Sequence, residues 1–85
     1  MPYSVFLESR AEKDLKKLSR EIRARIFSAI LDLKHNPRPA GVKKLSAEGE
    51  YYRLRVGDWR AIYVLQQRTV TVIVISVGHR SEVYE

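Results

Sequence analysis

The chain contains no cysteine. A disulfide framework, a thiol nucleophile and a thiolate metal site are therefore excluded. Small secreted domains lean on disulfide staples, so their absence points to a cytoplasmic home. Long apolar runs are missing too. No stretch approaches the roughly 18 residues of a membrane span, and residues 70–77 are far too short and read as a buried strand. Residues 1–7 show neither a long apolar run nor a small-residue cleavage site, so neither a signal peptide nor a membrane partner is expected. Histidine is scarce. His35 and His79 stand far apart, and no metal or other cofactor is expected. The chain has no repeat, low-complexity segment or linker.

What is present bounds the rest. With 85 residues, the chain is a single domain spanning 1–85. A domain of this size buries only about 60–65% of its unfolded surface. One sheet with a helical layer is what it can build, and chemistry belongs in a shallow surface groove. Lys and Arg number 16 against 10 Asp and Glu, for a net charge of +6. Such an excess attracts polyanions, although it also serves solubility. Residues 1–50 carry 11 basic and 7 acidic side chains, net +4; residues 51–85 carry 5 and 3, net +2. Charge density alone does not find a site, so the placement of individual arginines must.

Along the chain, Tyr3, Val5 and Leu7 alternate with Ser4 and Phe6, predicting a first strand. Ser9 precedes Glu12 at capping-box spacing, which predicts a helix start. Ala11, Leu15 and Leu18 form its apolar stripe. Ser19 caps a second helix, on which Ile22, Ile26, Ile30 and Leu33 recur at helical spacing, helped by Phe27 and Ala29. Asn36-Pro37-Arg38-Pro39-Ala40-Gly41 ends it, and Gly49 marks a polar turn. The period then changes to two. Tyr52, Leu54 and Val56 point one way, Arg53 and Arg55 the other. Gly57-Asp58 is a tight turn. Residues 59–65 form the next strand, with Ala61, Tyr63 and Leu65 on one face and Arg60, Ile62 and Val64 on the other. Residues 66–69 turn, residues 70–77 make a β-branched central strand, and Gly78-His79-Arg80-Ser81 breaks it. The expected fold is α+β, in the order β-α-α-β-β-β: an N-terminal strand, a helical hairpin, then a three-stranded antiparallel meander in one sheet.

Arg53, Arg55, Arg60 and Arg80 stand out in this frame. If their strands are neighbours, four guanidiniums converge on one side of the sheet. Guanidinium binds phosphate oxygens bidentately. His79 adds a group that titrates near neutral pH, and Tyr84 a ring on which a base can stack. Each has a plainer reading. Arg53 and Arg55 fit a solvated strand face, Arg60 fits an ion pair with Asp58, Glu48 or Glu50, and Tyr84 fits a cover over the sheet edge. A lone His79 in a loop is commonly incidental.

Their order in the chain is more specific. The segment Tyr52-Arg53-Leu54-Arg55-Val56-Gly57-Asp58-Trp59-Arg60-Ala61-Ile62-Tyr63 resembles the strand–turn–strand of RelE-type toxins. Ile75-Ser76-Val77-Gly78-His79-Arg80-Ser81-Glu82-Val83-Tyr84 is similar to their C-terminal signature. Ala11-Glu12-Lys13-Asp14-Leu15-Lys16-Lys17-Leu18, the Asn36-Pro37 stop and the Lys44-Leu45 pair also fit, so the resemblance to the RelE/ParE superfamily covers essentially the whole chain. It implies the toxin of a type II toxin–antitoxin system, with a RelB-like antitoxin and with mRNA on the small ribosomal subunit as partners. It further implies a metal-independent endoribonuclease that cuts mRNA in the ribosomal aminoacyl site. The alternatives are a ParE-like gyrase inhibitor on the same fold, and a catalytically degenerate RNA- or antitoxin-binding module.

By the same resemblance, Arg60 stabilises the phosphorane, Arg80 faces the leaving oxygen and Tyr84 stacks on or orients the attacked nucleotide. Arg53 and Arg55 stand where well-known relatives have lysines. Arginine cannot serve as a base in the usual pH range, so both are expected to grip substrate, as are Lys43 and Lys44. The proton acceptor is then His79, or no dedicated base at all, or a carboxylate from Glu48 or Glu50.

Overall fold

The computed structural model describes residues 2–45 and 49–79. Arg80, Tyr84 and Glu48, three of the residues singled out above, lie outside the described residues.

The elements are β1 (Ser4–Leu7), α1 (Ser9–Lys16), α2 (Arg20–Asp32), β2 (Lys43–Lys44), β3 (Tyr51–Val56), β4 (Trp59–Gln66) and β5 (Thr71–His79). They form one five-stranded sheet in the order β1-β5-β4-β3-β2. The expected meander is β3-β4-β5, paired antiparallel throughout. Two features go beyond expectation. β1 joins β5 in parallel, which makes the sheet mixed. The short β2 extends the far edge, because Lys43 and Lys44 pair with Arg53 and Tyr52. Both depend on long-range pairing that alternation within a segment does not reveal.

Both helices pack on one face. Ala11 and Leu15 of α1, with Ile26, Ile30 and Leu33 from α2 and its end, meet Tyr52, Leu54, Ala61, Tyr63, Leu65, Val72, Val74 and Val77 from the sheet. Ser19 caps α2 as expected, its hydroxyl accepting from the Ile22 N–H at 3.3 Å. At α1 the cap falls one residue earlier than expected, on Glu8, whose side chain makes no capping bond. The Glu8 N–H donates to the Val74 carbonyl at 3.0 Å. That bond carries the β1–β5 pairing one residue further and leaves Ser9 to open the helix. Phe27 is a second departure. Rather than joining the apolar stripe of α2, it is exposed and helps line a groove of about 770 Å³ with Val5, Leu15 and Ala24.

The strand expected to be central is β5, which lies inside the sheet between β1 and β4, while β4 holds the middle position, and β5 runs longer than its sequence implies. β5 continues through Gly78 and His79, which pair with Arg60 and Trp59. It begins at Thr71 rather than Val70, since Val70 sits at φ 51° in the preceding turn. Ile62 pairs with Ser76 and Tyr63 with Val74, so Ile75 is an extra residue, a β-bulge. The bulge resets the alternation: Val74 and Val77 are both buried although three apart. Among the described residues no helix is long and apolar enough to cross a membrane.

Candidate active site

Helices cover one face of the sheet, and the other carries the arginines. Residues directly opposite on neighbouring strands share a face, so the register defines rows across it. Arg55 pairs with Arg60, which pairs with Gly78. Lys43 pairs with Arg53, Arg53 with Ile62, and Ile62 with Ser76. Four cations from three adjacent strands thus occupy one side of the sheet. The two-residue turn at Gly57-Asp58 makes this register. Gly57 takes φ 61°, a value a side chain would resist, and Val56 and Trp59 close the hairpin.

The electrostatics follow from the geometry. The Arg53 guanidinium is pushed below its ordinary range by partial burial, and further by the charges of Arg60 and Arg55. Arg60 has its Nε shielded from solvent. Placing Arg55 directly opposite Arg60 sets like charges against each other, which costs stability. An anion bound between them removes that cost.

Not every expected site residue joins this row. Lys44 pairs with Tyr52 on the helix side, and its charge acts on Glu50. His79 pairs with Trp59, and their rings meet edge-to-face at 5.3 Å between centroids. Trp59 lines a cavity with Ile22 and Ile26 of α2, so alternation puts the His79–Trp59 pair on the side opposite Arg60 and Gly78.

Glu50 is engaged elsewhere. Its carboxylate accepts from the Tyr52 hydroxyl at 2.6 Å and from the Gln67 amide at 3.1 Å. The Tyr52 bond, with Lys44 and Arg38 nearby, holds it below the usual carboxylate range. Arg38 donates through Nε to the Tyr52 hydroxyl at 3.0 Å. The neighbouring Tyr63 hydroxyl donates to the Pro37 carbonyl at 2.6 Å. Burial raises the pKa of Tyr63 well above its ordinary value. These bonds tie the loop after α2 to the sheet.

Two residues escaped the sequence reading. Asp14 of α1 accepts from the Val77 N–H at 2.9 Å, and nothing in its helix announces that partner. Tyr51 was legible. The alternation that groups Arg53 with Arg55 also puts Tyr51 on their face, where it is 45% exposed.

Comparison with known proteins fits this arrangement. A family profile described as the ParE toxin of type II toxin–antitoxin systems, parDE, matches residues 5–84. Toxin RelG of Mycobacterium tuberculosis is 31% identical over 85 residues, covering 99% of this chain and 98% of that protein. The mRNA interferase toxin RelE of Escherichia coli is 33% identical over 88 residues, covering 99% and 92%. Among solved structures, an archaeal RelE–RelB complex from Pyrococcus horikoshii matches with a TM-score of 0.85 at 26% identity, covering 98% of this chain and 100% of that one. The RelBE2 toxin–antitoxin complex of Mycobacterium tuberculosis matches with a TM-score of 0.83 at 30% identity, covering 94% and 100%.

The fold and these matches define a toxin of the type II toxin–antitoxin class, and the chain belongs to the RelE/ParE toxin superfamily. Within it, the relatives and structural neighbours named here are RelE-type toxins.

Proposed function

We propose that this toxin is a ribosome-dependent mRNA endoribonuclease working by metal-independent transesterification, and that a RelB-like antitoxin neutralises it. The observation that supports the reading best is the register pair Arg55–Arg60 with Arg53 beside it. Three guanidiniums crowded on an open face are suited to a phosphodiester and poorly suited to anything uncharged. One relative bears the name mRNA interferase, which supports the same activity.

In the proposed reaction the 2′-oxygen attacks the adjacent phosphorus. A bond forms between O2′ and phosphorus, and the bond from phosphorus to O5′ breaks. The 2′-hydroxyl gives its proton to an acceptor, and O5′ takes one as it leaves. The products are a 2′,3′-cyclic phosphate and a 5′-hydroxyl. Arg60 stabilises the extra negative charge of the phosphorane, where preorganised donors are most effective. Arg80 serves the leaving oxygen, Tyr84 orients the nucleotide, and Arg53, Arg55 and Lys43 hold the strand, whereas Lys44, paired with Tyr52 on the helix side, is left out of that grip. His79 remains the proposed proton acceptor. Because it pairs with Trp59 rather than lying in the arginine row, reaching the 2′-oxygen requires RNA to wrap the end of β5.

The antitoxin is proposed because the structural neighbours are toxins solved with RelB. An acidic segment laid over the arginine face would cancel the like-charge contact there. Primer extension on translated mRNA, with wild type and Arg60→Ala, tests the reading. Cleavage by wild type and none by a folded Arg60→Ala protein is expected. Full activity in Arg60→Ala overturns the role of the cluster. Inhibition of gyrase supercoiling without mRNA cleavage overturns the ribonuclease reading in favour of a ParE-like activity.

A further inference from the structure

The arginine rows fill only part of the open face. One register step further from the Gly57-Asp58 turn, Tyr51 pairs with Val64, Val64 with Ile73, and Ile73 with Phe6. This row crosses four strands and carries no charge. Its two ends are exposed aromatics, Tyr51 at 45% and Phe6 at 62%. Rows two residues apart are about 6.6–6.8 Å apart. The face is therefore graded, from Arg55 and Arg60, through Lys43, Arg53 and Ile62, to Tyr51, Val64, Ile73 and Phe6.

Single-stranded nucleic acid alternates in the same way. Its phosphates seek cations, and its unpaired bases seek flat apolar or aromatic surface. Phosphate contacts fix position, while contacts to the bases decide which nucleotide is held. Tyr51 stands next to Arg53 in this pattern, two positions along the same strand. Its ring is seated from one side. A side chain at Gly49 would bring its Cβ within 3.0 Å of the ring Cδ2 and 3.2 Å of Cε2. A side chain there would crowd the ring and push it aside by a few tenths of an ångström, while the ring remains 45% exposed.

We propose that Tyr51 is the base-stacking residue of the open face. Its ring holds the base of a nucleotide whose phosphate lies at Arg53, and Val64 and Ile73 form the apolar floor. This makes Tyr51 a positioning residue that governs substrate binding and leaves the chemical step to others. The inference rests on the RNA-cutting function proposed above and assigns that site a base subsite.

The test compares wild type, Tyr51→Phe, Tyr51→Ala and Gly49→Ala, each checked for folding by circular dichroism. One arm measures binding of a short single-stranded oligoribonucleotide to the free protein. The other measures kcat and KM for cleavage on programmed ribosomes. Stacking losses correspond to roughly 5- to 160-fold in affinity. Tyr51→Ala is expected to weaken oligonucleotide binding and raise KM by that range, with kcat and the salt dependence of binding unchanged. Tyr51→Phe keeps the ring and should match wild type. Gly49→Ala crowds the ring and should fall between.

Wild-type affinity and KM in Tyr51→Ala would overturn the inference. So would equal losses in Tyr51→Phe and Tyr51→Ala, which would assign the effect to the hydroxyl. The two readings fail separately. A wild-type protein that binds the oligonucleotide through Tyr51 yet cuts nothing overturns the nuclease and keeps the subsite. Cleavage that is indifferent to Tyr51 does the reverse.

Discussion

The backbone N–H of Val77 donates to Oδ2 of Asp14 at 2.9 Å, joining β5 to the first helix. The bond sits next to the bulge at Ile75, where the β4–β5 pairing shifts register. Asp14 is itself held within 3.9 Å of Arg10, one helical turn earlier. Gly78 and His79 follow Val77 directly and end the strand.

Removing that acceptor should be felt in both stability and activity. Asp14→Ala leaves the Val77 N–H without its partner, at a cost of about 1–3 kcal/mol. The melting temperature should fall by about 4–8 °C for each of those kcal/mol. Asp14→Asn keeps an acceptor and should recover most of the loss. Thermal melts of the pair, with amide exchange at Val77, check this. An unprotected Val77 amide in wild type would contradict the contact.

The arginine face should announce itself in salt. Each phosphate contact to a single strand contributes about 0.7 to the slope of log affinity against log salt. Arg53→Ala and Arg55→Ala are each expected to flatten that slope by about this amount, while weakening different RNA sequences alike. Titrations at several salt concentrations read it directly. An unchanged slope in both variants would remove these arginines from the interface.

Glu50 predicts a pH dependence. Its folded pKa lies below the 4.5 of the free group, so its contribution to stability is fully present above that value. It is lost as pH falls through the lower folded pKa. The stability gap between wild type and Glu50→Gln should therefore be widest near neutrality and close progressively below pH 4.5. Denaturant titrations across the acid range measure the gap. A gap that widened on acidification would have the wrong sign for a carboxylate held by Tyr52, Lys44 and Arg38.

Val70 should be improvable. A β-branched residue at φ 51° is strained, and the left-handed region costs an ordinary residue about 1–2 kcal/mol. Val70 is exposed, so little apolar burial is lost by replacing it. Val70→Asn is expected to stabilise the fold by about 1 kcal/mol, visible as a higher melting temperature.

Much of this protein was legible in its sequence because the relevant forces are local. Alternation separated Arg53 and Arg55 from Tyr52 and Leu54, and the structure keeps them apart on the two faces of β3. Helical spacing found Ile26, Ile30 and Leu33, all buried. Ser19 capped its helix where a capping residue should. Pattern misled where burial depends on a distant neighbour. Phe27 fits the helical stripe, yet no element among the described residues covers it, and it stays exposed.

The arginine-bearing sheet itself divides the same way. Sequence alone determined that Arg53 and Arg55 lie on the face of their strand opposite Tyr52 and Leu54, and that Arg60 lies opposite Ala61 and Tyr63, because side-chain alternation is a property of the strand. Tertiary structure decided which of them meet. Register is a long-range choice, and it set Arg55 against Arg60 and Lys43 against Arg53. It also placed His79 beside Trp59 and ran an uncharged row from Tyr51 to Phe6. A one-residue bulge in β5 redirected every side chain beyond it, and no local pattern in residues 70–77 encodes where such a bulge falls.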